Sequence, residues 1–230
     1  MVMPMISIPV GSRMKTKSKP LYCRIFDDLR DRIVFGVYPP GTSLPEKELC
    51  QEFKVSRTPL REAFSKLQDM KLVTVIPRFG TTVTAVDIHE IRCAFEVKIK
   101  LEGLAGELAA ERIEPEKLDE LDGVISEAAR LLAEGGNNRH HRLIEIEGRF
   151  HEIIRQSTQN PILREMLDNL HYRCARLWSS ALSQVVPDEE IINQLRDVHT
   201  ALKNRDSKGA GALMEHHVQY FIEKIKRILL

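Results

Sequence analysis

The sequence predicts a mainly α-helical chain in two parts: three helices and a β-hairpin, then a bundle of six helices. Three observations carry this expectation. Apolar residues recur at three- and four-residue spacing along most of the 230 residues, interrupted by Pro and Gly. One interval instead holds two short β-branched runs, Leu72-Val73-Thr74-Val75-Ile76 and Thr81-Thr82-Val83-Thr84, joined by Pro77-Arg78-Phe79-Gly80. Charge is also divided. Residues 1–86 carry 14 Lys/Arg against 8 Asp/Glu, and residues 87–230 carry 20 against 25, although the whole chain is only +1. A basic head on an acidic body suits a nucleic-acid module joined to a module with another task. The expected divisions are a disordered segment over 1–19, a head over 20–86 and a helical body over 87–230. Met3, Met5 and Met14 are alternative starts.

Leu21 to Val34 reads as the first helix, with Ile25, Leu29 and Ile33 as its apolar stripe. Gly36 and Pro39-Pro40-Gly41 turn the chain. Pro45-Glu46 opens a second helix with Leu49 and Phe53 inward. Ser56 is expected to cap a third, in which Pro59 is tolerated in the first turn and Leu60, Phe64 and Leu67 face the core. Two helices joined by a tight turn, the second opening on basic and hydroxyl side chains, form a helix-turn-helix suited to a DNA major groove, and the hairpin adds a wing. Arg57 and Arg61 lie four apart and share a face away from that stripe. Arginine there can take a guanine edge bidentately or grip phosphate, and the sequence leaves both open. Lys47, Ser56 and Thr58 are further contacts. Arg78 at the wing tip is either a minor-groove contact or an ordinary exposed hairpin arginine.

Residues 21–84 resemble the winged helix-turn-helix of the GntR family of bacterial transcription regulators. The matching elements are Leu29-Arg30-Asp31-Arg32-Ile33, Pro40-Gly41, Leu44-Pro45-Glu46, Val55 through Ala63, and Gly80. The resemblance implies DNA contacts at Lys47, Ser56, Arg57, Thr58, Arg61 and the wing around Gly80. Lys47 stands where relatives often carry arginine, so a bidentate base contact is less secure there.

The body reads as helices over Ile91–Ile113, Pro115–Glu134 (ended by Gly135-Gly136), His140–Gln156, Pro161–Leu182, Asp188–Arg205 (after Pro187) and Lys208–Leu229. No glycine-rich phosphate loop follows a strand, which argues against a nucleotide-binding fold. Cys23, Cys50, Cys93 and Cys174 form no CxxC pair, so a zinc knuckle or disulfide framework is not indicated. Glu147 and His151, four apart, share a helical face and can grip one divalent ion, with His217 or His199 as a further ligand. The alternative is a helix-stabilising pair and hydrogen-bonded core histidines.

This part resembles the FCD effector domain of the FadR-type branch. The resemblance rests on Glu96-Val97-Lys98, Leu101-Glu102, Phe150-His151, Asn160-Pro161 and His217. Many such domains hold a metal through an aspartate and three histidines, with a small carboxylate against it; others bind acyl ligands without metal. Glu147 falls at the aspartate, and His151 and His217 at two histidines. The remaining position is Leu195, which cannot ligate, leaving His199 or His216 as substitutes. The implied cofactor is one divalent ion (Zn, Ni or Mn). Lys98, where relatives have arginine, and Arg176 are the candidates to meet the effector carboxylate. A solvated lysine and a structural arginine are the plain alternatives. Tyr172 and Trp178 flank this region.

These readings converge on a cytoplasmic, homodimeric, ligand-responsive regulator, a repressor controlled by a small organic acid and bound to a palindromic operator on double-stranded DNA. No signal layout and no membrane-length apolar run is present. Two other readings are open. One is an architectural DNA-binding protein with an inert dimerisation bundle. The other is a metal-dependent enzyme using Glu147 as base.

Overall fold

Proline and glycine set the helix ends in the computed structural model, which describes residues 20–85, 87–134, 139–181 and 189–229. The expectations for residues 1–19, Gly135-Gly136, Leu182, Pro187 and Asp188 lie outside the described residues. Helix α1 (Leu21–Val34) follows Pro20, and α2 (Glu46–Phe53) follows Pro45. Lys54, left-handed at φ 55°, turns the chain into α3 (Arg57–Asp69). Strands β1 (Val73–Ile76) and β2 (Gly80–Val83) pair antiparallel with Ile76 opposite Gly80. The segment before α2, read from sequence as a turn, also pairs with β2. Leu44 N–H donates to the Thr81 carbonyl, and Val83 N–H to that of Thr42. The wing is thereby tied to the lead-in of the helix-turn-helix. Ile25, Leu29, Leu60, Phe64, Leu67 and Val83 close the head's core, each contributing about 1.5–3 kcal/mol by burial.

The body comprises α4 (Ile88–Arg112), α5 (Pro115–Glu134), α6 (Arg139–Ser157), α7 (Pro161–Ala181), α8 (Glu189–Lys203) and α9 (Ser207–Leu229). Helix α4 starts three residues before the expected Ile91, because the Asp87 carboxylate accepts from the N–H groups of His89 and Glu90. Helices α4 and α9 pack closely through glycine. A β-carbon at Gly106 would stand 2.7 Å from the Ala210 carbonyl oxygen, so the helix backbones themselves are in contact there. Phe150, Ile154, Leu167, Leu195 and Val198 pack the body's main core.

A smaller cluster joins the two parts. Val34, the last residue of α1, is buried with Ile91 and Phe95 of α4, Cys174 of α7, and Val218 and Ile222 of α9. Tyr172 packs against both this cluster and the head's core. The Arg30 guanidinium lies 4.8 Å from the centre of its ring, close enough for a cation–π attraction.

Candidate functional site

The first candidate surface is the exposed side of α3 and the wing. Leu60, Ala63, Phe64 and Leu67 commit one face of α3 to the core, which leaves Arg57, Thr58 and Arg61 exposed on the other. Ser56 occupies the N-cap position with extended backbone (φ −77°, ψ 172°), but its hydroxyl makes no capping bond. The expected cap is therefore absent. Solvent or a phosphate can serve the first-turn N–H groups at this exposed end. Arg61 is held by Glu46 of α2: Nε donates to Oε1 at 2.8 Å and Nη2 to Oε2 at 3.0 Å. The hydrogen bond from Arg61 is the main cause holding the Glu46 carboxyl below its ordinary pKa, with Arg57 adding to it. A planar guanidinium pinned on a carboxylate at an exposed surface is oriented before any partner arrives. Lys47, next to Glu46, is exposed. At the wing tip Phe79 N–H donates to the Ile76 carbonyl, with Arg78 left-handed at φ 68° and Gly80 at φ 118°. Arg78 and Phe79 are both exposed.

The second candidate is inside the body. Glu147, His151 and His217 offer one ligand atom each, all within 4.8 Å of one another. Helical spacing places the first two on α6, and α9 brings the third. The sequence pairing of these three is therefore matched in space. His199 is elsewhere: its Nε2 lies 3.2 Å from the Leu118 carbonyl of α5. Leu195 is fully buried in the apolar core, and His216 is exposed. Neither substitute for the fourth ligand reaches the cluster.

The hydrogen bonds around the two histidines fix what they can do. Gln194 Nε2 donates to Glu190, so its Oε1 is left to accept from His217 Nδ1–H at 3.1 Å. His151 Nδ1 likewise faces the Glu102 carboxylate at 3.1 Å. With both Nδ1 atoms donating, a ring in its neutral form turns an Nε2 lone pair inward. His217 Nε2 is 3.1 Å and His151 Nε2 4.0 Å from the same Glu147 oxygen. Lone pairs facing a carboxylate require a cation between them, either a proton or a metal ion. The other Glu147 oxygen is buried without a hydrogen-bond partner. These residues fit a divalent ion, with outer-shell acceptors of the usual kind behind both histidines. Three protein ligands also leave at least one coordination position open.

Around this trio lies a buried charge network in which sequence reasoning gave a role, contact with the effector carboxylate, to Lys98 alone. Lys98 is no solvated lysine: it is 1 % exposed, and its Nζ donates to Glu102 at 2.7 Å. Arg155 lies 3.7 Å from Glu102 and 3.1 Å from Asp168 of α7, with its Nη1 making no hydrogen bond. Burial alone would raise the pKa of Glu102, but His151, Lys98 and Arg155 outweigh it and hold the carboxyl well below the ordinary range. Burial is also the main cause lowering His151 and His171, and Arg155 and Lys98 push His171 down further. Burial thus favours the neutral form of His151, the form that can ligate. Arg176 lies in the C-terminal half of α7, where its side chain, like that of Trp178, is outside the described residues. The signal that could have found Glu102 and Arg155 is a polar stripe at helical spacing. It runs through Lys98 and Glu102 on α4 and through Glu147, His151 and Arg155 on α6.

Helix α7 touches both regions. Asp168 pairs with Arg155, and the charges of the buried network act on His171. Tyr172, the next residue, packs against the head.

Comparison with known proteins places both parts. Residues 21–83 match the bacterial regulatory proteins of the gntR family, and residues 93–220 match the FCD domain. The HTH-type transcriptional repressor RspR of Escherichia coli strain K12 is 27% identical over 211 residues, covering 92% of this chain and 91% of RspR. YieP, an HTH-type transcriptional regulator of the same strain, is 31% identical over 199 residues, covering 78% of this chain and 85% of YieP. Among solved structures, E. coli McbR/YncC superposes with a TM-score of 0.79 at 25% identity, covering 90% of this chain and 98% of that one. No helix among the described residues is long and apolar enough to cross a membrane. A winged head with an exposed basic helix, an FCD body and relatives matched over nearly their whole length together identify a transcription regulator: the chain belongs to the GntR family of bacterial regulatory proteins, with a C-terminal FCD domain.

Proposed function

We propose that the protein is a homodimeric repressor of the FadR-type branch, released from a palindromic operator by a small carboxylate held in the body. The head would read DNA through Lys47, Ser56, Arg57, Thr58 and Arg61, with the wing at Arg78 and Gly80 beside them. RspR, named as a repressor, supports the sign of regulation. A twofold dimer would present two such heads to two half-sites.

The observation that carries the effector reading is the buried Glu147 oxygen without a partner, beside two histidine Nε2 atoms aimed at the same carboxylate. Glu147, His151 and His217 would hold one divalent ion, which would supply positive charge and an open coordination position for the effector's carboxylate. Lys98 and Arg155 against Glu102, Glu147 and Asp168 leave the network one formal negative charge. A divalent cation reverses that sign, so an acidic effector binds only after the cation is in place. Arg155 Nη1 is the donor available to orient the acid. The consequence travels through α7, because Asp168 and Tyr172 sit on it four residues apart. An effector that draws Arg155 away from Asp168 changes how α7 meets α1. Regulation then requires only that the acid bind the two head arrangements with different affinity.

The test uses the full chain stripped with chelator, then given Zn(II), Ni(II) or Mn(II). Saturation at about 100 times the dissociation constant adds about 2.7 kcal/mol of stability, a rise in Tm of about 5 °C or more. Glu147→Gln and His217→Ala are expected to lose the rise. Small carboxylates are expected to release operator DNA, selected from random duplexes, from the metal-loaded chain alone. A wild-type Tm indifferent to all three metals would overturn the metal-dependent reading.

A further inference from the structure

We propose that Phe79 is a wedge that enters a base step of the operator's minor groove and makes the deformability of that step part of the sequence the protein selects. The inference rests on the head being the DNA-reading part. Its observation is separate from the basic residues that support that reading.

Phe79 is 90 % exposed, the most exposed of the large apolar side chains among the described residues. An isolated exposed aliphatic side chain needs no explanation. An aromatic ring at the apex of a rigid hairpin is a different case. The Phe79 N–H closes the turn on the Ile76 carbonyl, and Arg78 is held at φ 68°. That region costs a non-glycine residue on the order of 1 kcal/mol, and such strain persists where the surrounding structure imposes it. The hairpin is anchored at its base, where Val73 and Val83 are buried in the head's core with Leu60 and Leu67. A second tie is the pairing of β2 with residues 42–44, which lead directly into α2. The ring is therefore presented at a fixed place relative to α3.

The surroundings say what it meets. No acidic residue occurs between Asp69 and Asp87, while Lys71 and Arg78 lie in that interval. Ile76, at the end of β1, is also exposed. A tip with one cation, one aromatic ring and one aliphatic side chain, free of negative charge and carried by the same module as the exposed arginines of α3, is complementary to DNA. Minor-groove proteins insert phenylalanine or aliphatic side chains between base pairs while neighbouring cations hold the phosphates. The unstacking costs least at TA and CA/TG steps. Phe79 would thus impose a preference at a position where it makes no hydrogen bond. Arg78 would supply the sequence-neutral attraction that brings the tip to the groove.

The experiment uses the full chain and duplexes selected by it from a random pool, with 2-aminopurine placed in turn at the flexible steps of the selected sequence. Wild type is expected to raise 2-aminopurine fluorescence at one step in each half-site. Phe79→Ala is expected to abolish the rise and weaken binding by roughly tenfold, the scale of one base–aromatic stacking contact. The slope of affinity against salt should stay unchanged, since no phosphate contact is lost. Phe79→Leu should keep most of the affinity. Because the side chain is exposed, neither change disturbs the core. Phe79→Ala with wild-type affinity and fluorescence would overturn the wedge. A loss of self-association in Phe79→Ala, with the fluorescence rise intact, would overturn it in favour of an interface between copies. Arg57→Ala separates the two levels of inference. If it abolishes binding while Phe79→Ala does nothing, only the wedge fails; if the wild type selects no sequence at all, the DNA reading of the head fails with it.

Discussion

Arg57→Ala and Arg61→Ala are each expected to weaken operator binding by about 5- to 150-fold, the range of about 1–3 kcal/mol for a well-placed arginine contact. The two should differ in kind. Arg57 is an exposed side chain in the first turn of α3, and its removal takes away one cation. Arg61 is gripped at two of its three guanidinium nitrogens by Glu46. Removing it also bares a carboxylate on the surface that meets a polyanion. Arg61→Ala should therefore be the worse of the two, and Glu46→Gln combined with it should recover part of the loss. A salt titration tells base from phosphate contact: loss of one phosphate contact lowers the slope by about 0.9, whereas loss of a base contact leaves it and relaxes sequence preference instead. Wild-type operator affinity in both arginine variants would sink the assignment of α3 as the reading helix.

The second large effect is on stability. Glu102→Ala is expected to cost about 3–5 kcal/mol, because it removes from the interior the carboxylate that Lys98, His151 and Arg155 share, and Asp168 remains to Arg155 alone. That is a large share of the net stability of about 5–15 kcal/mol typical of a folded protein. Urea unfolding monitored by helical signal measures it. The double change Lys98→Met with Glu102→Leu should be far milder than Glu102→Ala alone, since a buried pair replaced by apolar side chains of similar volume is often neutral. Glu102→Ala with a loss below about 1 kcal/mol would mean that water reaches these cations and screens them as it does surface charges.

The contrast between the legible and illegible parts of the sequence follows from the range of the forces involved. Bounds for α1 and α5 could be read to the residue, because Pro20, Gly36 and Pro115 act on their own backbone. The start of α4 was missed because its punctuation is a side-chain cap, Asp87, rather than a ring or a missing β-carbon. Ser56 shows the reverse error, as a residue of capping type in the capping position that makes no cap. At the metal candidate, Glu147 and His151 were legible as a local pair. The resemblance joined His217 to them, but excluding His199 required the phase of α8 against the rest of the bundle. Helix α8 turns Leu195 and Val198 into the core, and that places Gln194 beside His217 while His199 faces α5. The partners of Lys98 are a mixed case. Glu102 lies one turn away on the same helix, but its pull on His151 and Arg155 spans about fifty residues and leaves no local trace.

Tyr172 bears on how such regulators diversify. Its ring belongs to two cores at once, and Arg30 lies against it. Val34, the last residue of α1, is likewise buried among body residues. A head in this protein is not a freely exchangeable cartridge. Recombination that swaps a DNA-binding part onto a new sensor would have to carry compatible side chains at positions 30 and 34, or break the joint between reader and sensor. The seam at Arg30, Val34 and Tyr172 therefore restricts which combinations of operator and effector a lineage can assemble, independently of how well either half folds or binds.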